Sequence, residues 1–448
     1  MRVLASILIV LSMQLAWKAY TQTGLFIPLG SDYGLYLSQA MTWQDGDPRR
    51  IYDRNAIDRY YKALLNSYGH DPSYHPEKPD LWGTHVPYPP IFAWAMQPLT
   101  RLPIALSVIV WTVLNLLLIL CLCLRLARHC PGWDRVTIFL CLLGSYPIVL
   151  TLVIGQLQIL MAWALMECML ALRAGKDWQA GLWLGVLLLK PQYGLLLGPI
   201  LIWKQRWRAV LGVAVTGLVL LAGSIATVGL STLLTYPQSF AVMANFRGDD
   251  PYVMINWRSL VLELKPDITD RSGVLLTLML GCMTVACILW MWRGAWRPDS
   301  REFTQQFALT VLATLLVNYH SHPYGAALLA VPICLLLAER RISSLSISVA
   351  AAALFLPTAV LTVGYEVSVS NREFYQHLLW ASRMLKFMLF VLFATLCVDW
   401  LIRTSQVGRS ILIHRWWTLH ETQLWTNEQP ARFMASHLVG RRSASRRG

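Results

Sequence analysis

The stretch PIALSVIVWTVLNLLLILCLCL at residues 103–124 decides the fold class of this chain. It contains no charged residue and is long enough to cross a bilayer as one helix, because about 20 residues span a hydrocarbon core of about 30 Å. Similar apolar runs recur along the 448 residues, which are 56% hydrophobic and 14% charged, with a mean hydropathy of +0.48. The sequence therefore predicts an all-α polytopic membrane protein.

The formal net charge of +14 does not point to a nucleic-acid partner. Lys and Arg residues cluster in short breaks between apolar runs, and this pattern orients helices in a bilayer with the basic breaks in the cytoplasm. The nine cysteines lie mostly in or beside apolar segments, without paired CxxC or zinc-finger spacing, and are interpreted as small buried apolar side chains.

The basic breaks define a topology of about twelve helices with both termini cytoplasmic, in the plasma membrane. The expected helices cover residues 3–21, 103–124, 136–153, 157–172, 178–189, 192–203, 209–229, 273–292, 305–319, 323–338, 343–363 and 384–402. The first is expected to stay uncleaved, because no small-residue cleavage site follows it. The segments 178–189 and 192–203 are too short to span a bilayer and predict broken helices or a re-entrant hairpin.

Two long loops, 22–88 and 230–272, fall on the extracytoplasmic side of this topology. Residues 57–68 have helical spacing of apolar positions, which predicts a helix lying on the membrane surface or packed within the loop. Residues 91–99 are apolar but broken by prolines, and they predict a half-helix or a dip into the outer leaflet. The membrane part covers 1–403, and 404–448 form a basic cytoplasmic tail with an interfacial helix.

Asp32 follows the first apolar run, where a carboxylate meets the membrane surface. Ionisable groups at membrane depth are costly and default to functional hypotheses, although a solvated loop aspartate is the alternative. Gly155-Gln156 lies at the tip of a hairpin, where a turn requires the glycine but not the glutamine. Lys190-Pro191 breaks an apolar run and places a cation where it can bind a phosphate or extend to lipid headgroups.

Two further polar groups lie on the same face. The break from Asn318 to Pro323 contains His320 and His322, whose spacing hints at a metal but lacks an evident third ligand. Arg247 and Arg258 lie in the second outer loop, where they either reach the same site or pair with the neighbouring acidic residues. Asp32, Gln156, Lys190, His320 and His322 all fall at the outer ends of their helices, so we expect these five to share one cavity that suits an anionic lipid.

Several pieces in order resemble the polyprenol-phosphate-dependent mannosyltransferases of glycosyltransferase family 87. The resemblance covers roughly residues 1–400 and leaves the basic tail outside it. The pieces are Ser31 to Ala40 with Asp45-Gly46-Asp47-Pro48 and Ile51-Tyr52-Asp53; Pro87-Tyr88-Pro89-Pro90 with Pro98-Leu99 and Trp111; Gly155-Gln156 with Gly181 to Gly185 and Leu189-Lys190-Pro191; and Asn318 to Pro323.

The resemblance implies a GT-C-type bundle whose transmembrane domain, 1–403, is catalytic, with its active site on the extracytoplasmic side. It implies transfer of a sugar, typically mannose, from a polyprenyl-phosphate donor to a hydroxyl of a glycolipid or glycan acceptor. Arabinofuranose and glucose stay open as alternatives, because the choice of sugar depends on a few hydroxyl contacts. The reaction inverts the anomeric centre with Asp32 as general base, and no metal or other cofactor is expected.

The remaining site residues fall into two expected groups. Groups expected to bind the donor phosphate are Lys190, His320, His322, Arg247 and Arg258. Groups expected to bind the sugar or acceptor are Gln156, Tyr33, Tyr36, Tyr88 and Asn318.

Two rival interpretations stay open on the sequence. A secondary transporter also has about twelve helices and broken segments. However, its polar groups are expected near the bilayer centre, and its two halves are expected to be repeats of each other. A lipid-linked glycan ligase or a scaffold is the other. The Asp45-Gly46-Asp47 motif resembles the metal site of nucleotide-sugar transferases, but its turn-rich surroundings predict a turn.

Overall fold

The computed structural model describes residues 32–66, 88–130, 134–238, 251–266, 270–339, 343–367 and 371–405. Within these ranges the elements are helices and turns, and no strand occurs. The predicted first helix at 3–21, residues 22–31 and 67–87 of the first outer loop, Arg247 and the predicted tail helix lie outside them. Contacts divide the chain into two units, Met1–Leu396 and Cys397–Gly448, and the second contains only 397–405 of the described residues.

The α-helices are, in chain order, α1 (Asp32–Met41), α2 (Arg54–Asn66), α3 (Pro90–Thr100), α4 (Ile104–Ala127), α5 (Arg135–Gly144), α6 (Tyr146–Ile154), α7 (Gln158–Arg173), α8 (Asp177–Val186), α9 (Leu197–Trp203), α10 (Trp207–Leu233), α11 (Trp257–Leu264), α12 (Arg271–Met291), α13 (Arg301–Val317), α14 (Ala330–Ala338), α15 (Ser344–Val367) and α16 (Asn371–Thr404). Short 3-10 helices cover Thr42–Asp45, Pro48–Tyr52, Leu187–Leu189, Pro191–Gly194, Pro251–Val253 and Pro323–Leu329.

Five segments of the described helices are long and apolar enough to cross a membrane, namely Ile104–Ala127, Trp207–Leu233, Arg271–Met291, Ser344–Leu361 and Leu379–Thr404. The pair α5 and α6 makes a sixth if it is one bent span. These spans confirm the predicted class, an all-α polytopic membrane protein. The other predicted crossings in the described ranges are shorter or broken helices.

The predicted helix at 136–153 is bent by 65° between Gly144 and Tyr146. Ser145 has extended backbone angles there, and Pro147 lies in the first turn of α6. Proline has no backbone N–H to donate and its ring clashes with the carbonyl four residues earlier, whereas it is tolerated in the first turn, so a helix restarts at this point more easily than it continues.

The segments predicted to be broken helices are broken at Lys190. The chain passes from α8 through Leu187–Leu189, Lys190 and Pro191–Gly194 to α9. Lys190 has φ −136° and ψ 79°, which is outside the helical region and typical of the residue before proline. This backbone turns the lysine out of the line of the helix.

Predicted local features of the first outer loop also occur. The surface or loop helix is Arg54–Asn66, and the proline-flanked piece is the short helix Pro90–Thr100, with Pro98 in its last turn. Gly46 has φ 76°, which is the left-handed turn conformation, and the Asp47 carboxylate accepts a hydrogen bond from Arg49 N at 3.0 Å. The predicted turn at 45–48 is therefore confirmed.

Small residues bring α8 and α10 close together. A Cβ on Gly181 would lie 1.9 Å from the backbone oxygen of Ala209, and a Cβ on Gly212 would lie 2.5 Å from that of Trp178. Membrane helices associate by van der Waals packing, and small residues at the interface permit such close backbone contact. This contact fixes α8, and with it the position at which the chain breaks at Lys190.

Candidate active site

Gly155 joins α6 to α7 and permits α1 to approach this junction. Its φ of 72° is left-handed, and a Cβ at this position would lie 2.6 Å from Tyr33 Cβ. Trp111 Nε1 donates a hydrogen bond to Gly155 O at 2.9 Å, and the Trp111 ring stacks on Tyr33 with centroids 5.6 Å apart. Both the backbone and the space require glycine, as the predicted turn at 155–156 does.

Gln156 lies at the centre of a buried polar cluster and is 0% exposed. Its Oε1 accepts hydrogen bonds from Tyr36 Oη at 2.6 Å, Lys190 Nζ at 2.7 Å and Tyr88 Oη at 3.3 Å. The two tyrosine hydroxyls are 2.6 Å apart. Since an ammonium only donates, the side-chain atom that faces Lys190 must be the oxygen.

The amide nitrogen of Gln156 takes no part in these hydrogen bonds. Nε2 is buried and has no hydrogen-bond partner among the described residues. A buried unsatisfied donor costs about 1–3 kcal/mol, so native structures retain few of them. The cluster therefore offers a fixed donor to a ligand oxygen.

Lys190 is a buried lysine with donors to spare, being 7% exposed. Desolvation lowers its pKa to about 7, and the negative charge of Asp32 opposes this shift and favours the ammonium. Its Nζ lies 5.0 Å from the ring centroid of Tyr88 and 5.1 Å from that of Tyr324, so two aromatic faces attract the charge. Gln156 Oε1 is its hydrogen-bond acceptor within the described residues, whereas an ammonium carries three donors. Such a group suits a ligand that brings several anionic oxygens.

Asp32 is the first residue of α1 and precedes Tyr36 by one helical turn, so both side chains share one face of the helix. Its carboxylate is partly buried and lies within electrostatic range of Lys190, Tyr36, Tyr88 and Tyr193. The structure thus brings Asp32, predicted to be catalytic, and Lys190, predicted to bind phosphate, to one cluster.

The histidine loop, residues 318–322, joins α13 to the turn Pro323–Leu329 beside this cluster. The His322 ring stacks on Tyr324 at 5.2 Å and contacts His320 edge-on at 4.5 Å between ring centroids. Desolvation, and to a lesser degree the Lys190 ammonium, lower the pKa of His322 to about 4. At neutral pH an imidazole with this pKa is neutral, so it has an N–H to donate but brings no positive charge.

Asn318 shapes this loop. Its Oδ1 accepts from His320 N at 3.1 Å and its Nδ2 donates to His320 O at 3.1 Å, and the residue is 4% exposed. An amide engaged in this way positions the loop. Contact of Asn318 with a sugar stays a prediction, and this placement favours a positioning role.

Tyr33 is buried in a similar structural role. Its hydroxyl lies 2.6 Å from Ser107 Oγ and donates to Ser107 O at 3.0 Å. Its hydrogen-bonding group is therefore directed at α4. The structure favours packing of α1 for Tyr33, while Tyr36 and Tyr88 lie in the polar cluster itself.

Of the two predicted arginines, Arg258 is described. It lies on α11 with its Cζ 4.2 Å from the ring centroid of Tyr319, the residue next to His320. Arg258 thus contacts the histidine loop, and its contact with a donor phosphate stays a prediction.

Three residues that contribute to this region were not among the predicted site residues. Tyr324 covers Lys190, and the hydroxyl of Tyr193 accepts from Gln158 Nε2 at 3.2 Å. Both tyrosines lie within two residues after a proline, Pro191 or Pro323, in a polar break of the sequence. That position is the feature of the sequence that could have identified them. Lys386 is 0% exposed in α16, and its signal was a lysine inside an apolar helix.

Comparison with known proteins gives one family. A model of glycosyltransferase family 87 matches residues 86–318, just over half of the chain. The match includes Tyr88, Gln156 and Lys190, starts after Asp32 and ends before His320. No curated protein and no solved structure matches the chain.

Proposed function

The chain belongs to glycosyltransferase family 87, and from this premise we propose that it transfers mannose from a polyprenyl-phosphate donor to a hydroxyl of a glycolipid or glycan acceptor. Family membership together with the membrane helices makes the protein a membrane glycosyltransferase. The lipid phosphate, the sugar and the mechanism are the proposed part.

The proposal depends on buried Lys190 lying within electrostatic range of the Asp32 carboxylate. A sugar bound to a lipid phosphate leaves behind a phosphate that gains negative charge as its bond to the anomeric carbon breaks. A cation already fixed in a water-poor site stabilises that charge more in the transition state than in the ground state. Lys190 has this burial, and its spare donors match the phosphate oxygens.

In the proposed reaction Asp32 is the general base. Its carboxylate takes the proton from the acceptor hydroxyl while that oxygen attacks the anomeric carbon, and the bond from carbon to phosphate oxygen breaks on the opposite face. The products are the glycosylated acceptor, a protonated Asp32 and a polyprenyl phosphate held by Lys190. One displacement inverts the anomeric centre and needs no covalent intermediate.

Gln156 contributes binding in this scheme. Its unpartnered Nε2 donates to a sugar hydroxyl, while Tyr36, Tyr88 and Lys190 hold its Oε1 and so keep the amide from turning. His322, as a neutral imidazole, donates a hydrogen bond to the phosphate. His320, Arg247 and Arg258 extend the phosphate side, and no metal ion is part of the proposal.

The basic breaks between the helices support an extracytoplasmic active site in the plasma membrane, with both termini in the cytoplasm. Arg125 and Arg173 lie in the last turns of α4 and α7, and Arg206 lies just before α10. The site residues lie at the opposite ends: Tyr33 contacts the start of α4, Gln156 precedes α7, and Lys190 follows α8. Family membership favours transfer over transport, ligation or a scaffold function.

The experiment is a donor panel offered to the purified wild-type protein with membrane acceptors. We expect radiolabelled mannose to pass from polyprenyl-phosphate mannose, and no label to pass from a nucleotide-linked mannose. Transfer from polyprenyl-phosphate arabinofuranose or glucose alone would correct the sugar. Transfer from the nucleotide donor alone would contradict the proposed role of Lys190 and of the lipid phosphate.

A further inference from the structure

Lys386 is a second buried lysine, and it differs from Lys190 in that its donors are used. It lies in the membrane-spanning segment Leu379–Thr404 and is 0% exposed. Its Nζ donates to Glu263 Oε1 at 2.5 Å, Ser259 Oγ at 2.6 Å and Tyr252 O at 3.2 Å. Three acceptors match the three donors of an ammonium, so this lysine binds protein groups.

The three acceptors belong to one short segment, residues 251–264, which comprises the turn Pro251–Val253 and α11. Arg383, one turn before Lys386, also donates to Glu263 Oε1, at 3.2 Å. A lysine inside a membrane helix is costly and is found paired, often where function requires it. Here the pairing ties the second outer loop to α16.

The same segment binds the histidine loop on its other side. Ile255 N donates to Ser321 O at 2.8 Å, and Asn256 Nδ2 donates to both Asn318 O and Tyr319 O at 2.8 Å. Asn256 also caps α11, because its Oδ1 accepts from Ser259 N at 2.9 Å. Residues 251–264 therefore form a bridge from α16 to the loop that carries His320 and His322.

We propose that Lys386 is a positioning residue for the donor-phosphate side of the active site. It fixes the bridge, the bridge fixes the histidine loop, and the loop places His322 against Tyr324 beside Lys190. Lys386 acts without contacting the donor. The effect on donor binding rests on the proposed function, whereas the effect on the loop does not.

Removal of the ammonium leaves Glu263 with Arg383 and leaves Ser259 Oγ and Tyr252 O without this donor. Breaking a buried ion pair by removal of one partner is strongly destabilising in general, so Lys386→Met is accompanied by Lys386→Arg, which keeps the charge. Glu263→Gln is a second, milder change, since a glutamine Oε1 still accepts from the lysine. Arg125→Met is the control, because it breaks the ion pair with Glu167, at 2.9 Å, at the opposite end of α4 and α7.

The test is amide hydrogen exchange of each variant, together with donor KM and kcat from the transfer assay. For Lys386→Met we expect exchange at 251–264 and 318–322 to rise about tenfold or more, with α7 unchanged. In the same variant we expect donor KM to rise about tenfold while kcat stays within about twofold of wild type. Lys386→Arg and Glu263→Gln are expected to lie between Lys386→Met and wild type. Arg125→Met is expected to change neither the exchange at 318–322 nor donor KM.

Unchanged exchange at 318–322 in Lys386→Met, or an increase spread evenly over the chain, would overturn the proposal. If Lys386→Met does not fold, the same comparison is made with Glu263→Gln, for which unchanged exchange at 318–322 would also overturn it. Loosening of the loop in a protein that transfers no lipid-linked sugar would keep the positioning role and reject the proposed function.

Discussion

Lys190 and Lys386 differ in how many of their hydrogen-bond donors the protein itself uses. Both are buried, at 7% and 0% exposure. Lys386 has three protein acceptors, whereas Lys190 has Gln156 Oε1 and two aromatic faces within the described residues. Because a buried ammonium gains from each acceptor, the unused donors of Lys190 favour a ligand that supplies the missing acceptors.

Replacement of Lys190 by methionine is expected to reduce kcat/KM for the lipid donor by roughly 100- to 1000-fold, the usual effect of losing one electrostatic donor at a developing charge. The fold is expected to survive, since Gln156 Oε1 keeps two tyrosine donors. Steady-state transfer kinetics measure the loss. Lys204→Met, a lysine that contacts Trp203 and Gly294 O, is the control, and an equal loss in both variants would contradict a specific role for Lys190.

Gly155 and Gly175 form a matched pair for the junction beside Gln156. Both have left-handed φ, 72° and 69°, but only the Cβ at 155 meets another group within 4 Å, at Tyr33. A left-handed alanine costs about 1–2 kcal/mol, and overpacking adds about 1–3 kcal/mol. We therefore expect Gly155→Ala to lower the thermal midpoint in detergent more than Gly175→Ala, and to reduce transfer by displacing α1. Equal midpoints would show that the α1 contact contributes little.

At the residue scale, polar groups inside apolar sequence were predictable and the aromatic surroundings were not. Asp32, Gln156 and Lys190 stand out because burying them is costly. Tyr193 and Tyr324 are ordinary core residues in composition, and only the fold shows that they lie beside Gln158 and over Lys190. The engagement of Tyr33 with Ser107 depends likewise on how α1 crosses α4.

At the scale of elements, proline explains both what was predicted and what was not. Pro191 follows a lysine in a short apolar run, so the broken helix at Lys190 could be predicted. Pro147 causes a similar restart, yet the run 136–153 is long enough for one span, and its 65° bend was missed. The prediction of one span rested on the length of the apolar run, whereas the structure is determined by the backbone at Ser145 and Pro147.

The contact between α8 and α10 predicts a sharp response to side-chain size. Gly181→Leu places a side chain where the Ala209 backbone lies, and a backbone cannot move aside as a flexible side chain can. We expect a severe loss of folded protein in gel filtration from detergent. Gly281→Leu, on a membrane-spanning helix with no atom within 4 Å of the new Cβ, is expected to behave as wild type. Normal yield of Gly181→Leu would contradict the close contact.

At the scale of the whole molecule, the basic breaks predict which end of the bundle faces outward. Cysteines introduced at Asp58 on α2 and at Lys204 before α10 test it, in a background where the exposed Cys121 and Cys282 are alanine. A membrane-impermeant maleimide is expected to label position 58 in intact cells and position 204 only after permeabilisation. The reverse labelling would place the site in the cytoplasm and contradict the topology.

The most direct test of the proposed active site is sugar transfer by Asp32→Asn compared with wild type. The measurement is radiolabelled mannose moved from polyprenyl-phosphate mannose to acceptor at equal folded yield, with Asp58→Asn as the control. The amide keeps the shape of the side chain but cannot take a proton, so we expect transfer to fall to background in Asp32→Asn and to persist in Asp58→Asn. Full activity of Asp32→Asn would contradict the assignment of the catalytic base and the site built around it.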